Sequence, residues 1–211
     1  MKTDDLIGIL SLDTRRAVPL QRVLMVGLLP SLVFALLLVW QTLGFRNDLA
    51  QSLLLPLSAA RFVLTIAMAG FGLRMAMVLA RPEGRSLARP WTLAIVPAIA
   101  LGLVIWTYID TPAQSVQMAV VGKTITTCLI MIPILSILPV TAILLTLRQG
   151  ATTAPRLASA VAGLGGAAAA AAIYATHCTE DSPLFYVTWY GLAILAVTVV
   201  SAQFGPRLLR W

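Results

Sequence analysis

Long apolar runs separated by short polar connections set the pattern of this chain. Runs of about 20 residues recur from Val23 almost to the C-terminus, and a helix of that length at 1.5 Å per residue crosses the hydrocarbon core of a bilayer. Six spans are expected, at residues 23–43, 62–80, 91–109, 120–147, 157–176 and 184–204. The pattern predicts an all-α membrane protein: a bundle of six transmembrane helices over 23–204, an N-terminal tail over 1–22 and a C-terminal anchor over 205–211.

The spans differ in ways that predict their roles. The third opens on Trp91 and closes on Trp106 and Tyr108, aromatics suited to the two membrane interfaces. The fourth contains Pro133 and Pro139, which remove backbone hydrogen bonds and predict either a hinge or a packing bend. In the fifth, Gly163-Leu164-Gly165-Gly166 leads into six alanines, Ala167 to Ala172. Such a helix offers neighbours its backbone rather than side chains, and is expected at the centre of the bundle. Arg61 and Arg74 lie near the ends of the second span, where both are expected to snorkel outward.

Composition agrees with this class. The chain has 211 residues, 59% hydrophobic and 11% charged, with a mean hydropathy of +0.92. Its formal charge of +7 matters through its placement. Lys2, Arg15, Arg16, Arg22, Arg81, Arg85, Arg89, Arg148, Arg156, Arg207 and Arg210 fall on one side of the expected spans. The other side carries Arg46, with Arg61 and Lys123 near helix starts, and the acids Asp48, Asp110, Glu180 and Asp181. The positive-inside rule then makes both termini cytoplasmic and accounts for the basic charge without nucleic acid. No cleavable leader is expected, because the first run is long enough to span and no small-residue cleavage site follows it.

Within the tail, residues 1–12 read as a short helix. Thr3 can cap it, and Asp4 and Asp5 suit its first turn. Leu6, Ile9 and Leu10 share one face, with Ile7 beside them. Two or three turns are marginal alone in water, so this face needs either lipid headgroups or a protein partner.

One polar loop concentrates reactive groups. Thr176-His177-Cys178-Thr179-Glu180-Asp181-Ser182-Pro183 holds the only histidine and one of two cysteines, on the side opposite the arginine-rich loops. Cys128 lies in the outer half of the fourth span, facing the same compartment. The two cysteines are either unrelated small residues or a thiol pair that oxidises or binds a soft metal ion, with His177 and an acid as further ligands. A disulfide would need the Cα atoms within about 7 Å, and so a loop that dips into the bundle. Glu180 and Asp181 read as helix-start acids, with Asp181 or Ser182 as the cap and Pro183 in the first turn, rather than as a catalytic pair. No phosphate loop, no HExxH and no polar residues spaced through the spans point to an enzyme.

The opening Met1-Lys2-Thr3-Asp4-Asp5-Leu6-Ile7, the stretch from His177 to Phe185 with Trp189-Tyr190-Gly191 behind it, and the ending Gly205-Pro206-Arg207-Leu208-Leu209-Arg210-Trp211 resemble the NrsF-type bacterial membrane proteins. The resemblance covers the whole chain, including the cysteine in the fourth span. It implies a non-enzymatic anti-sigma factor of the bacterial inner membrane, holding an extracytoplasmic-function sigma factor until an envelope signal arrives. On these residues it implies Thr3, Asp4, Asp5, Leu6, Ile7, Ile9 and Leu10 as the sigma-factor contact, and Cys128 and Cys178 with His177 as the sensor. No resident cofactor is implied beyond a soft metal ion as signal. The other class open to such a chain is a small transporter or thiol-redox membrane protein without a sigma-factor partner. Arg74, Lys123 and scattered Ser and Thr give a transporter little polar lining, and one cysteine pair is half of what a quinone-linked thiol oxidase uses.

Overall fold

The computed structural model describes residues 18–209. The tail helix with Thr3 to Leu10 therefore lies outside the described residues, as do Arg210 and Trp211. Among the described residues all regular structure is helical. The elements are α1 (Leu20–Thr42), α2 (Leu49–Leu54), α3 (Pro56–Leu79), α4 (Gly84–Leu87), a 3₁₀ turn (Pro90–Ala94), α5 (Ile95–Asp110), α6 (Ala113–Val121), α7 (Ile125–Arg148), α8 (Pro155–Tyr174) and α9 (Pro183–Leu208). Six helical segments are long and apolar enough to cross a membrane: α1, α3, the 3₁₀ turn with α5, α6 with α7, α8 and α9.

The Gly- and Ala-rich helix is the hub. In its most apolar stretch 67% of α8 is buried, against 11% for the span containing α5, so α8 is the axis and α5 a peripheral stave. It packs chiefly against α3, α7 and α9. A Cβ added to Gly72 on α3 would lie 2.7 Å from the Cα of Gly165, so these backbones approach as closely as two glycines allow. Gly163 similarly meets Ser201 of α9, and Gly166 meets Val140 of α7. Large side chains such as Val26, Val63, Leu101 and Ile109 point outward instead. In lipid, apolar surface is no reason for helices to associate, and close backbone packing takes over that task.

Two features go beyond the sequence expectation. The fourth span is broken, although α7 itself continues as one helix through Pro133 and Pro139. The break comes earlier, at Gly122, whose φ of 56° and ψ of −162° belong to a region nearly closed to residues with a Cβ. Second, α3 starts at Pro56 rather than near residue 62, since proline suits the first helical turn. Arg61 therefore sits inside the helix, fully buried, while Arg74 is exposed as a snorkelling side chain should be.

The core divides along the bundle. One cluster, around Val39, Cys128, Ala171, Tyr174, Cys178 and Tyr190, fills the end that carries the acids. A second, around Leu28, Ala76, Ile143, Leu147 and Ala162, fills the end that carries the exposed arginines.

Candidate functional site

At the acidic end, the loop after α8 folds inward. Residues Thr176 to Ser182 are tied down by groups from three separate segments. The Arg46 amide donates to the Thr176 carbonyl at 3.1 Å, and Arg61 Nη1 donates to the Glu180 carbonyl at 3.0 Å. The Lys123 amide, freed by the break at Gly122, donates to Glu180 Oε1 at 2.8 Å. These bonds satisfy backbone groups that a loop at this depth leaves unpaired.

The centre of the site is an ion cluster. Arg46 Nε and Nη2 donate to the two oxygens of Asp48, each at 2.7 Å, and Nη1 and Nη2 donate to Asp181 at 2.8 and 3.1 Å. Asp181 Oδ1 also accepts from Ser58 Oγ at 2.7 Å and lies 3.3 Å from Arg61 Nη1. Two buried guanidinium groups are thus balanced by two carboxylates that keep contact with solvent. Hydrogen bonds from Arg46 hold the Asp48 carboxyl down at about 2. Burial alone pushes the Asp181 carboxyl up, but the hydrogen bonds of Arg46 and Ser58, with the charges of Arg61 and Arg46, outweigh it and lower the group overall. Bonds to Asp48 and Asp181 in turn raise Arg46 above its ordinary range.

The cluster reaches the cysteines through the backbone. Arg46 Nη1 donates to the Cys178 carbonyl at 3.2 Å. The Cys178 sulfur lies 3.9 Å from Thr124 Oγ1, and the Cys128 amide donates to the Thr124 carbonyl one turn further along α7. Both thiols are free, both are buried, with 0% and 1% of Cys128 and Cys178 exposed, and they belong to one core cluster. The loop does dip into the bundle, as a thiol pair requires. His177 takes another direction: its Nδ1 lies 2.9 Å from the Gly44 carbonyl and donates to it, with the ring tilted against Tyr174. Among the described residues no group of three or more His, Cys, Asp and Glu side chains is placed to hold a metal ion.

The acids differ from the helix-start reading. Ser182 occupies the cap position of α9 but its side chain makes no capping bond, and Glu180 and Asp181 point instead to the Lys123 amide and the guanidinium groups. Charge attraction across the loop is stronger than a cap at a helix end. Arg46, Ser58 and Arg61 were missed as site residues. The available signal was their sign, since Arg46 and Arg61 are basic residues on the side where acids prevail.

With this geometry in place, comparison with known proteins is decisive about ancestry. A family model described as NrsF, negative regulator of sigma F, matches residues 10–211. The chain belongs to the NrsF family. An anti-sigma-F factor NrsF of Caulobacter vibrioides is 34% identical over 218 residues, covering 100% of both chains. A probable anti-sigma-F factor NrsF of Azospira oryzae is 30% identical over 177 residues, covering 84% of this chain and 83% of its own. No solved structure matches.

Proposed function

We propose that this protein is a membrane-bound anti-sigma factor that holds an extracytoplasmic-function sigma factor at the bacterial inner membrane. The observation that carries this reading is membership of the NrsF family over residues 10–211, with relatives that are named anti-sigma-F factors. The orientation belongs to the same reading: the exposed Arg81, Arg85, Arg89, Arg148, Arg156 and Arg207 face the cytoplasm, and the cysteines face the periplasmic side. The tail, with Thr3, Asp4, Asp5, Leu6, Ile7, Ile9 and Leu10, is the contact for the sigma factor.

The trigger is a change at Cys128 and Cys178. Oxidation by a peroxide or other two-electron oxidant removes two electrons and two protons from the pair and forms one disulfide. Capture of a soft metal ion by the two thiolates is the other chemistry the pair supports. Because both thiols are buried, the loop must first lift, and the ions around Asp181 set how readily it does so. The helices that leave the site, α7 with 24 residues and α8 with 20, extend about 36 and 30 Å, far enough to carry a shift to the opposite end. Moving a two-state population from 1:99 to 99:1 requires about 5.5 kcal/mol, within reach of a disulfide or a thiolate–metal site.

The test is a pull-down of the cell's extracytoplasmic-function sigma factors by the purified protein, intact and with residues 1–13 deleted. Binding by the intact chain that is lost with the tail supports both the activity and the contact. Binding that survives deletion moves the contact to the arginine-rich loops, and no binding at all refutes the anti-sigma reading.

A further inference from the structure

Arg61 is the largest fully buried side chain among the described residues, and only part of its guanidinium is used. Nη1 serves the Glu180 carbonyl and Asp181, while Nε and Nη2 have no hydrogen-bond partner. The face of the group lies 5.1 Å from the Phe62 ring, a contact that leaves its N–H edge unengaged. Buried donors are nearly always paired, and charged ones most of all, so two adjacent unpaired N–H groups on one guanidinium point to a ligand.

The same residue lines a cavity of about 530 Å³ between α3, α5, α8 and α9. Its size falls within the range of small-molecule sites, roughly 300–1,000 Å³. Leu64, Val96, Ala100, Tyr190 and Gly191 contribute to a lining that is almost wholly apolar. The other hydroxyls around it are engaged elsewhere: Thr65 and Thr198 with carbonyls of their own helices, Tyr186 with the Leu57 carbonyl at 3.0 Å. Tyr190 Oη, like the Arg61 edge, has no partner. The cavity lies where α5, whose span is the least buried of the six, covers α3 and α9 without filling the space between them.

We infer that this cavity binds a single-chain carboxylate amphiphile of the membrane, a long-chain fatty acid in chemical class. The Nε–H and Nη2–H of an arginine lie side by side and match the two oxygens of a carboxylate. Asp181, the carboxylate nearest Arg61, lies on its Nη1 side at 3.3 Å and is also bonded to Arg46, so it leaves the Nε and Nη2 edge unserved. The apolar lining takes the chain, and with so few polar groups the cavity has no partners for the glycerol esters of a phospholipid. Arg61 joins this site directly to the Asp181 cluster that clamps the Cys178 loop. The ligand assignment does not depend on the sigma-factor reading.

The test uses the full chain, delipidated in detergent, and measures equilibrium binding of radiolabelled palmitate with palmityl alcohol and phosphatidic acid as competitors. The expected result is saturable binding near one per chain, with the alcohol competing about 10-fold or more weakly because it lacks the paired oxygens. Arg61→Met should abolish binding, but that change also disturbs the ion cluster. Gly191→Phe is the independent variant: a Cβ there meets nothing within 4 Å, so the ring can fill the cavity while Arg61 stays intact. It should keep the melting temperature and lose palmitate. Absence of saturable binding, equal competition by the alcohol, stronger competition by phosphatidic acid, or undiminished binding in folded Gly191→Phe would each overturn the assignment.

Discussion

Arg46 and Asp181, 135 residues apart in the chain, meet through contacts of 2.8 and 3.1 Å, and Nη1 of the same guanidinium holds the Cys178 carbonyl at 3.2 Å. The pair closes the loop between α8 and α9 over two buried thiols. Its strength should therefore decide how easily those thiols are reached.

Arg46→Ala removes a buried cation that serves two carboxylates and a carbonyl. We expect it to destabilise the closed loop by about 2 kcal/mol, from the loss of hydrogen bonds to charged groups. Maleimide labelling of Cys178 in membranes should then accelerate about 10-fold or more, with Arg46→Lys intermediate because it keeps the charge but not the planar fork. Unchanged labelling would show that the ions do not guard the thiols.

The two aspartates give the site an acid limit. Both carboxyls titrate lower in the fold than in an unfolded chain, Asp48 at about 2. Their stabilising contribution is complete above the unfolded value of about 4 and disappears as pH falls from there toward the folded values. The melting temperature of the purified protein should hold between pH 8 and 5 on this count and decline below about pH 4. Asp181→Asn should lower the plateau and shallow the acid decline; an unaltered acid profile would contradict this role for Asp181.

Cys128→Ser and Cys178→Ser should each leave the sigma factor held under oxidants that release it in the parent. A reporter driven by that sigma factor would read the outcome, and full induction in the double variant would remove the thiols from the sensing mechanism. Both substitutions are small, so assembly in the membrane should be little altered.

Backbone contacts should be the most sensitive points of the bundle. Gly72→Ala places a methyl 2.7 Å from the Gly165 Cα, where neither helix has a flexible side chain to yield, and should cost about 1–3 kcal/mol in reversible unfolding. Gly122→Ala should be at least as damaging. Its backbone angles exclude a Cβ at a cost of about 1–3 kcal/mol, and the methyl would also lie 2.6 Å from the Phe185 ring. If Gly122→Ala unfolds like the parent, the break between α6 and α7 is not a fixed feature.

Much of the scaffold was legible from residue order alone. Six apolar runs gave the six long helices, because length and hydropathy are local properties that a bilayer reads one segment at a time. The Gly and Ala composition of residues 163–172 likewise announced the central helix, since only small residues let backbones meet. The loop from Thr176 to Pro183 stood out through its rare residues, and its cysteine does join Cys128 in one core cluster.

Residue order thus settled which segments are long and apolar enough to cross a membrane, which helix packs at the centre and where the unusual side chains cluster. Their partners came from the fold. The prolines of α7 promised a hinge or a bend, and α7 runs through both as one helix; the break in this span is at Gly122, whose backbone angles suit only glycine. Arg61 looked like a snorkelling end residue and Asp181 like a helix cap. Arg61 became a buried cation and Asp181 its half-buried partner because Arg46, Ser58 and the loop reach them from distant parts of the chain. Coulombic attraction and burial depend on distance in space, and no spacing along a sequence encodes which charges will be brought to within 3 Å of one another.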